Sequence, residues 1–147
     1  MRTVWSVLVV IACAITLPAR AEDAPIGFVK TLSGPATVTH GATAMAARVA
    51  MPVYENDWLQ TGADGELGAT FRDNTRISLG PTSRIQLTHF VFKPAAMEYG
   101  FILRLAYGTL ECISGLTAKL APDAMSIETP GFTVGARGTR FLVRAER

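Results

Sequence analysis

Between Pro52 and Leu87, short alternating apolar runs are separated by clusters of aspartate, glycine, threonine and proline, and this rhythm admits little except a fold of short strands. In Glu66 to Phe71, the side chains of Leu67, Ala69 and Phe71 fall on one side of an extended chain and those of Glu66, Gly68 and Thr70 on the other. The alternation resumes with Ile77 and Leu79 against Arg76 and Ser78. It stops at Gly80-Pro81 and returns with Ile85 and Leu87 against Arg84 and Gln86. Three strands about 8 residues apart are the spacing of an all-β domain. The corners carry Asp57, Thr61, Gly62, Asp64, Gly65, Asp73, Thr75, Gly80 and Ser83, residue types whose short side chains or missing Cβ suit tight backbone turns. Asp57 and Thr61 are expected to bond loop amides that would otherwise go unpaired, and Asp64-Gly65 to form a turn with left-handed backbone.

The remaining chain continues this pattern. Segments 26–32 and 36–40 alternate around Ser33-Gly34-Pro35, and 45–49 reads as a further strand. Thr88 to Gly100 loosens and reads as a loop or a short helical turn. Phe101 to Leu105 and Leu110 to Ile113 read as a hairpin turning at Gly108-Thr109, and Leu116 to Asp123 as a connector with some helical character. Met125 to Thr129 leads to a turn at Pro130-Gly131. Gly138 within Gly135 to Thr139 suggests a bulge or a close backbone approach before the closing run Phe141 to Val143. The expected class is all-β: one compact domain over residues 22–147, β-helix-like or an irregular β-sandwich, preceded by a signal-peptide helix over 1–21.

Residues 1–21 open with Met1-Arg2, continue with an apolar run from Val4 to Leu17, and end in Ala19-Arg20-Ala21, the small-x-small pattern of a signal peptidase site. That run is shorter than the roughly 20 residues of a bilayer span, so no transmembrane span is expected in the mature protein. Location in the periplasm or secretion follows, with acylation at Cys13 as the alternative route. Cleavage removes Arg2 and Arg20 from the 14 basic residues, leaving equal numbers of basic and acidic groups. A neutral mature chain lacks the clustered cationic excess that nucleic-acid binding requires. Cys112 is then a lone thiol alternating with Leu110, suited to burial as a small hydrophobe.

Known catalytic and ligand-binding patterns are missing. His40 and His89 stand apart from cysteines and acidic pairs at ligand spacing, arguing against zinc. The aspartates lack the repeated spacing of a calcium loop, no G-x-G-x-x-G opens a helix, and no G-x-S-x-G occurs. No catalytic, cofactor-binding or metal-binding residue is assigned. Arg72, Arg76, Arg84 and Arg104 occupy outward positions of the expected strands and, if aligned, would form a strip for an acidic partner or an anionic glycan.

In order and spacing these elements resemble the FecR domain, a bacterial periplasmic module of iron-transport regulators. The resemblance is carried by Asp57-x3-Thr61-Gly62-x-Asp64-Gly65, by Phe71-x-Asp73-x-Thr75 followed by Ile77 and Leu79, and by Gly80-Pro81-x-Ser83. Near the C-terminus, Thr129-Pro130-Gly131 and Val134-x2-Arg137-Gly138-Thr139-x-Phe141-x-Val143 extend it, so that it spans Gly27 to Val143. Asn74 stands where the family usually has glycine. The resemblance implies envelope signalling. Anti-sigma members relay a transporter's signal through a membrane span to a cytoplasmic segment, neither of which is read here. The expectation is therefore an exported, non-enzymatic module that binds an envelope protein, with a cell-wall glycan or peptidoglycan as the alternative ligand.

Overall fold

Residues 23–147 are described by a computed structural model, and the expected signal-peptide helix and Cys13 lie outside the described residues. The strands are β1 (Gly27–Ser33), β2 (Ala36–His40), β3 (Thr43–Ala46), β4 (Pro52–Val53), β5 (Trp58–Thr61), β6 (Glu66–Phe71), β7 (Arg76–Leu79), β8 (Arg84–Lys93), β9 (Glu98–Ile113), β10 (Met125–Glu128), β11 (Thr133–Gly135) and β12 (Arg140–Ala145). One short helix, α1 (Leu116–Leu120), follows β9, so the helical tint of that connector is real. Nearly all pairs are antiparallel; β10 runs parallel to β9.

The strands belong to a single curled sheet that folds into two layers, an irregular sandwich rather than a β-helix. One layer reads β4, β1, β6, β7, β9, β12, and the other β3, β2, β5, β8, β9, β10, β11. β9 belongs to both. Its first half buries Phe101, Leu103 and Leu105; its second half buries Leu110 and Cys112. The inward set moves from odd to even positions because the strand bends at Gly108, whose φ is +97°. The expected hairpin over 101–113 is thus one bent strand. A glycine followed by threonine resembles a turn in sequence, but here it carries the chain from one layer to the other.

The expected loop over 88–100 is also corrected. β8 continues to Lys93, and the turn is confined to the 3-10 segment Pro94–Ala96 and Met97, which adopts a left-handed conformation. Alternation is lost near Thr88 because the pairing of β8 with β9 shifts register between Leu87 and His89. The buried positions therefore run Ile85, Leu87, Phe90, out of step by one. Phe90 joins Phe71 and Phe101 in an aromatic cluster that ties the layers together, with Phe71–Phe101 and Phe90–Phe101 ring centroids 4.7 and 5.1 Å apart in edge-on arrangements. The 45–49 run is strand only as far as Ala46, the end of the β2–β3 hairpin.

Four of the bends that carry the chain between layers lie at Gly34-Pro35, 62–65, 80–83 and Gly108. Gly34 has φ of +64°, and a Cβ there would lie 2.1 Å from the Asp64 carbonyl oxygen. At Gly108 a Cβ would lie 2.2 Å from Ser83 Oγ and 2.4 Å from its Cα. Gly108→Ala is therefore expected to destabilise the fold by about 2 to 4 kcal/mol, from left-handed strain together with overpacking. Urea unfolding is the measurement, and a midpoint unchanged by the substitution contradicts this account of the bend.

Candidate functional site

Among the described residues the buried polar side chains belong to corner residues except for Thr117 in α1, whose Oγ1 has no hydrogen-bond partner. Thr61 is 3 % exposed and Ser83 fully buried, and between them they tie the corners together. Thr61 Oγ1 donates to the Gly80 carbonyl (2.7 Å) and accepts from the Ser83 N–H (2.9 Å), while the Thr61 N–H donates to the Ser83 carbonyl (2.9 Å). Ser83 Oγ in turn accepts from the Thr109 N–H (2.8 Å), just beyond the β9 bend. The Gly62 N–H donates to the Pro35 carbonyl (2.9 Å) and the Thr82 N–H to the Gly62 carbonyl (2.9 Å), so all four bends share one chain of bonds. The Asp64-Gly65 turn closes differently from expectation. Gly65 is not left-handed; it is needed because a Cβ would meet the Pro35 carbonyl oxygen at 2.1 Å.

A second clamp sits where β6 turns into β7. Asp73 accepts from the Thr75 N–H (3.0 Å) and from Thr75 Oγ1 (2.8 Å), and Thr75 Oγ1 accepts from the Gly115 N–H (3.0 Å), joining this turn to the end of β9. Asn74 between them has φ of +65°, the conformation for which the family's usual glycine would serve. Asp57, 1 % exposed, forms the third clamp: Oδ2 accepts from the Tyr54 N–H (2.9 Å) and Oδ1 lies 2.6 Å from His40 Nδ1. On the far side of the same loop, Glu55 Oε2 accepts from the Phe90 N–H (2.7 Å) and lies 3.4 Å from His89 Nδ1. Neither histidine–carboxylate pair was visible in the sequence, since the partners are 17 and 34 residues apart.

Toward the C-terminus, Thr129 and Phe132 close their turn through Thr129 Oγ1, with Pro130 exposed. Arg137 pairs with Asp123 (3.0 Å), the Gly138 carbonyl accepts from Ser114 Oγ (2.6 Å), and the Thr139 carbonyl accepts from the Ser114 N–H (2.9 Å). Gly138 has open space where a Cβ would go, so no close approach explains it.

The four arginines do not align into one strip. Arg76 faces outward from β7 in one layer, whereas Arg84 and Arg104 face outward from the other. Arg84 lies over the Trp58 ring at 4.3 Å, Arg104 pairs with Glu128 at 3.5 Å, and Arg72 lies over Phe90 at 5.6 Å. Neighbouring side chains occupy each of these three cations.

A free sheet edge lies at β12, with a shallow trough beside it. β12 pairs with β9 alone among the described residues. The Ser114 N–H bond to the Thr139 carbonyl sets the parity, so Thr139, Phe141 and Val143 direct their backbone groups to β9. Arg140, Leu142 and Arg144 therefore direct theirs outward. The Leu142 side chain is 69 % exposed. It borders a trough of about 430 Å³ across the outer face, floored by Gly68 and Ser78 and walled by Glu66, Glu111 and Thr31. Arg140 pairs with Glu111 at its margin. Among the described residues no group of three or more His, Cys, Asp or Glu gathers as metal ligands, and no helix is long and apolar enough to cross a membrane.

Cys112 is fully buried, and desolvation, with the Asp73 carboxylate adding to it, pushes its thiol up to about 12. The thiol thus holds its proton in the folded chain after an unfolded chain has lost it. Between about pH 9 and 12 the unfolded state binds fewer protons, so this group makes stability fall as pH rises. Native protein at pH 8 is expected to resist iodoacetamide, with labelling appearing only on unfolding; rapid native labelling contradicts this placement. Asp57→Ala strands the Tyr54 N–H and releases His40, at an expected cost of about 1 to 3 kcal/mol. A thermal melt that does not move overturns the clamp.

Comparison with known proteins agrees with the corner pattern. No curated protein and no solved structure matches the chain. The family model described as FecR protein matches residues 57–147, starting at the Asp57 clamp and running through all the corners after it. The match starts later than the resemblance expected from Gly27. β1 to β4 precede it, yet Val29, Val38 and Val53 lie in the same core. With more than half its length matched, and with the motif residues performing one structural task in order, the chain belongs to the FecR family, a family of signalling-related modules.

Proposed function

We propose that this chain is an exported, non-enzymatic signalling module that binds an envelope protein by accepting a strand from it along the outer edge of β12. The carrying observation is that edge: three outward-directed residues, Arg140, Leu142 and Arg144, with Leu142 69 % exposed at the centre. Charged side chains on a free edge discourage aggregation, which accounts for the two arginines. It does not account for the leucine. A large apolar side chain on an unpaired edge, with Arg144 beside it and Arg140 paired with Glu111, suits a partner strand that offers backbone groups, an apolar contact and an acidic flank.

Contact rather than turnover is supported by how the hydroxyls and carboxylates are used. Thr61, Thr75, Ser83, Asp57 and Asp73 are all committed to bonds that hold corners. Export rests on residues 1–21, read as a signal peptide that leaves the domain in the periplasm or outside the cell. The glycan reading rests on an aligned strip of outward arginines on a polar sheet face, and Arg76 lies in a different layer from Arg84 and Arg104. The protein partner is therefore the preferred reading.

A proline at 142 removes an N–H that β9 does not use, so Leu142→Pro should fold while blocking strand addition. A photo-reactive residue at 144, expressed in the native envelope, is expected to give one dominant protein adduct, which Leu142→Pro reduces at least tenfold while the melting temperature stays within a few degrees. An adduct unaffected by the proline, or equally formed from a control site at Val49, refutes edge docking. Retention of the protein on isolated cell wall with no protein adduct favours the glycan.

A further inference from the structure

On the other side of the molecule, the β2–β3 hairpin and the 48–54 segment enclose a cavity of about 490 Å³, a size typical of small-molecule sites. We propose that it binds a small amphipathic anion: a carboxylate carried on an aliphatic chain. Its walls are Val38, Met45, Val49 and Met51. Of these, Met45 and Val49 are exposed although both are large and apolar. Singly exposed apolar side chains are ordinary, but these converge on one concavity.

The polar groups set the sign and place of the charge. Arg48 and His40 line the cavity, and both are exposed, which puts them at its mouth. The only acidic residue in the lining is Asp57, whose two oxygens are taken by the Tyr54 N–H and His40 Nδ1. His40 Nδ1 faces the Asp57 carboxylate, which leaves Nε2 as the ring nitrogen not engaged there. The Tyr54 ring, with its centroid 5.0 Å from that of His40, fixes the imidazole from its other side. The mouth therefore presents a guanidinium and a braced imidazole, and the interior presents aliphatic and thioether groups that pack flexible chains well. An aliphatic tail needs no hydrogen bonds from these walls.

The cavity is preformed. The Ala47 N–H donates to the Ala36 carbonyl (2.9 Å), the Ala50 N–H to the Val29 carbonyl (2.8 Å) and the Met51 N–H to the Arg48 carbonyl (3.1 Å). Ala50 holds φ of +67°, a conformation that a non-glycine residue keeps only where surrounding bonds impose it. A ligand would not have to order this segment, which lowers the cost of binding. The site does not involve β12 and stands or falls apart from the docking edge.

The test is a titration of the full chain with decanoate, read by methyl signals of the methionines. Saturable shifts are expected at Met45 and Met51, while Met97 in the β8–β9 turn and Met125 in the core stay still. Arg48→Gln, an exposed substitution that leaves every backbone bond of the segment in place, is expected to raise the Kd at least tenfold, and Val49→Asp to abolish the shifts. Decylammonium should not bind. No saturable shift with decanoate, unchanged binding in either folded variant, or equal binding of decylammonium overturns the proposal.

Discussion

The fold depends on the hydrogen bonds between Thr61, Ser83 and the β9 bend. A sheet this long has to curl to bury its apolar face, and each strand that changes layer exposes backbone groups at its corner. Such groups cost about 1 to 3 kcal/mol apiece when buried unpaired. Here they satisfy one another. A threonine hydroxyl serves a carbonyl on one side and an amide on the other, and a serine hydroxyl passes the connection to the next corner. Side chains one or two atoms longer would push the layers apart, and apolar ones would leave the amides bare.

That arrangement explains why the motif residues read as a family signature: each holds a corner. Asp73 with Thr75 and Asp57 with His40 repeat the device elsewhere: a short polar side chain, buried at a corner, bonded to backbone or to a neighbour. The motif's hydroxyls and carboxylates are thus committed to its corners, and two other surfaces are proposed to make contacts. One is the β12 edge with its leucine between arginines; the other is the cavity behind the β2–β3 hairpin, with Arg48 and His40 at its mouth.

Local periodicity made β6, β7 and the start of β8 legible, because each buries one face and alternates with period two. The corner residues were legible for the same reason, since the types that tolerate tight turns are few. Two of the failures of legibility lie in the neighbouring strands β8 and β9. At Thr88 a register shift moved the inward positions by one, which in sequence looks like the end of a strand. At Gly108 a bend resembled a turn, because glycine permits both and only the destination of the following residues separates them.

The candidate surfaces were less legible still. Outward arginines can be counted from alternation, but whether they meet depends on which layer each strand joins, and Arg76 joined a different one from Arg84 and Arg104. His40 and Asp57 meet because β2 pairs with β5 in a register that sets Thr39 opposite Trp58, a matter of sheet order that no local pattern records. The amino-acid sequence by itself determined the strands, the turn-forming corners and the family, because these rest on interactions within a few residues. Tertiary structure alone decided the layer of each strand, the bend in β9, the free edge and the cavity, because these arise from pairings between segments that are distant in the chain.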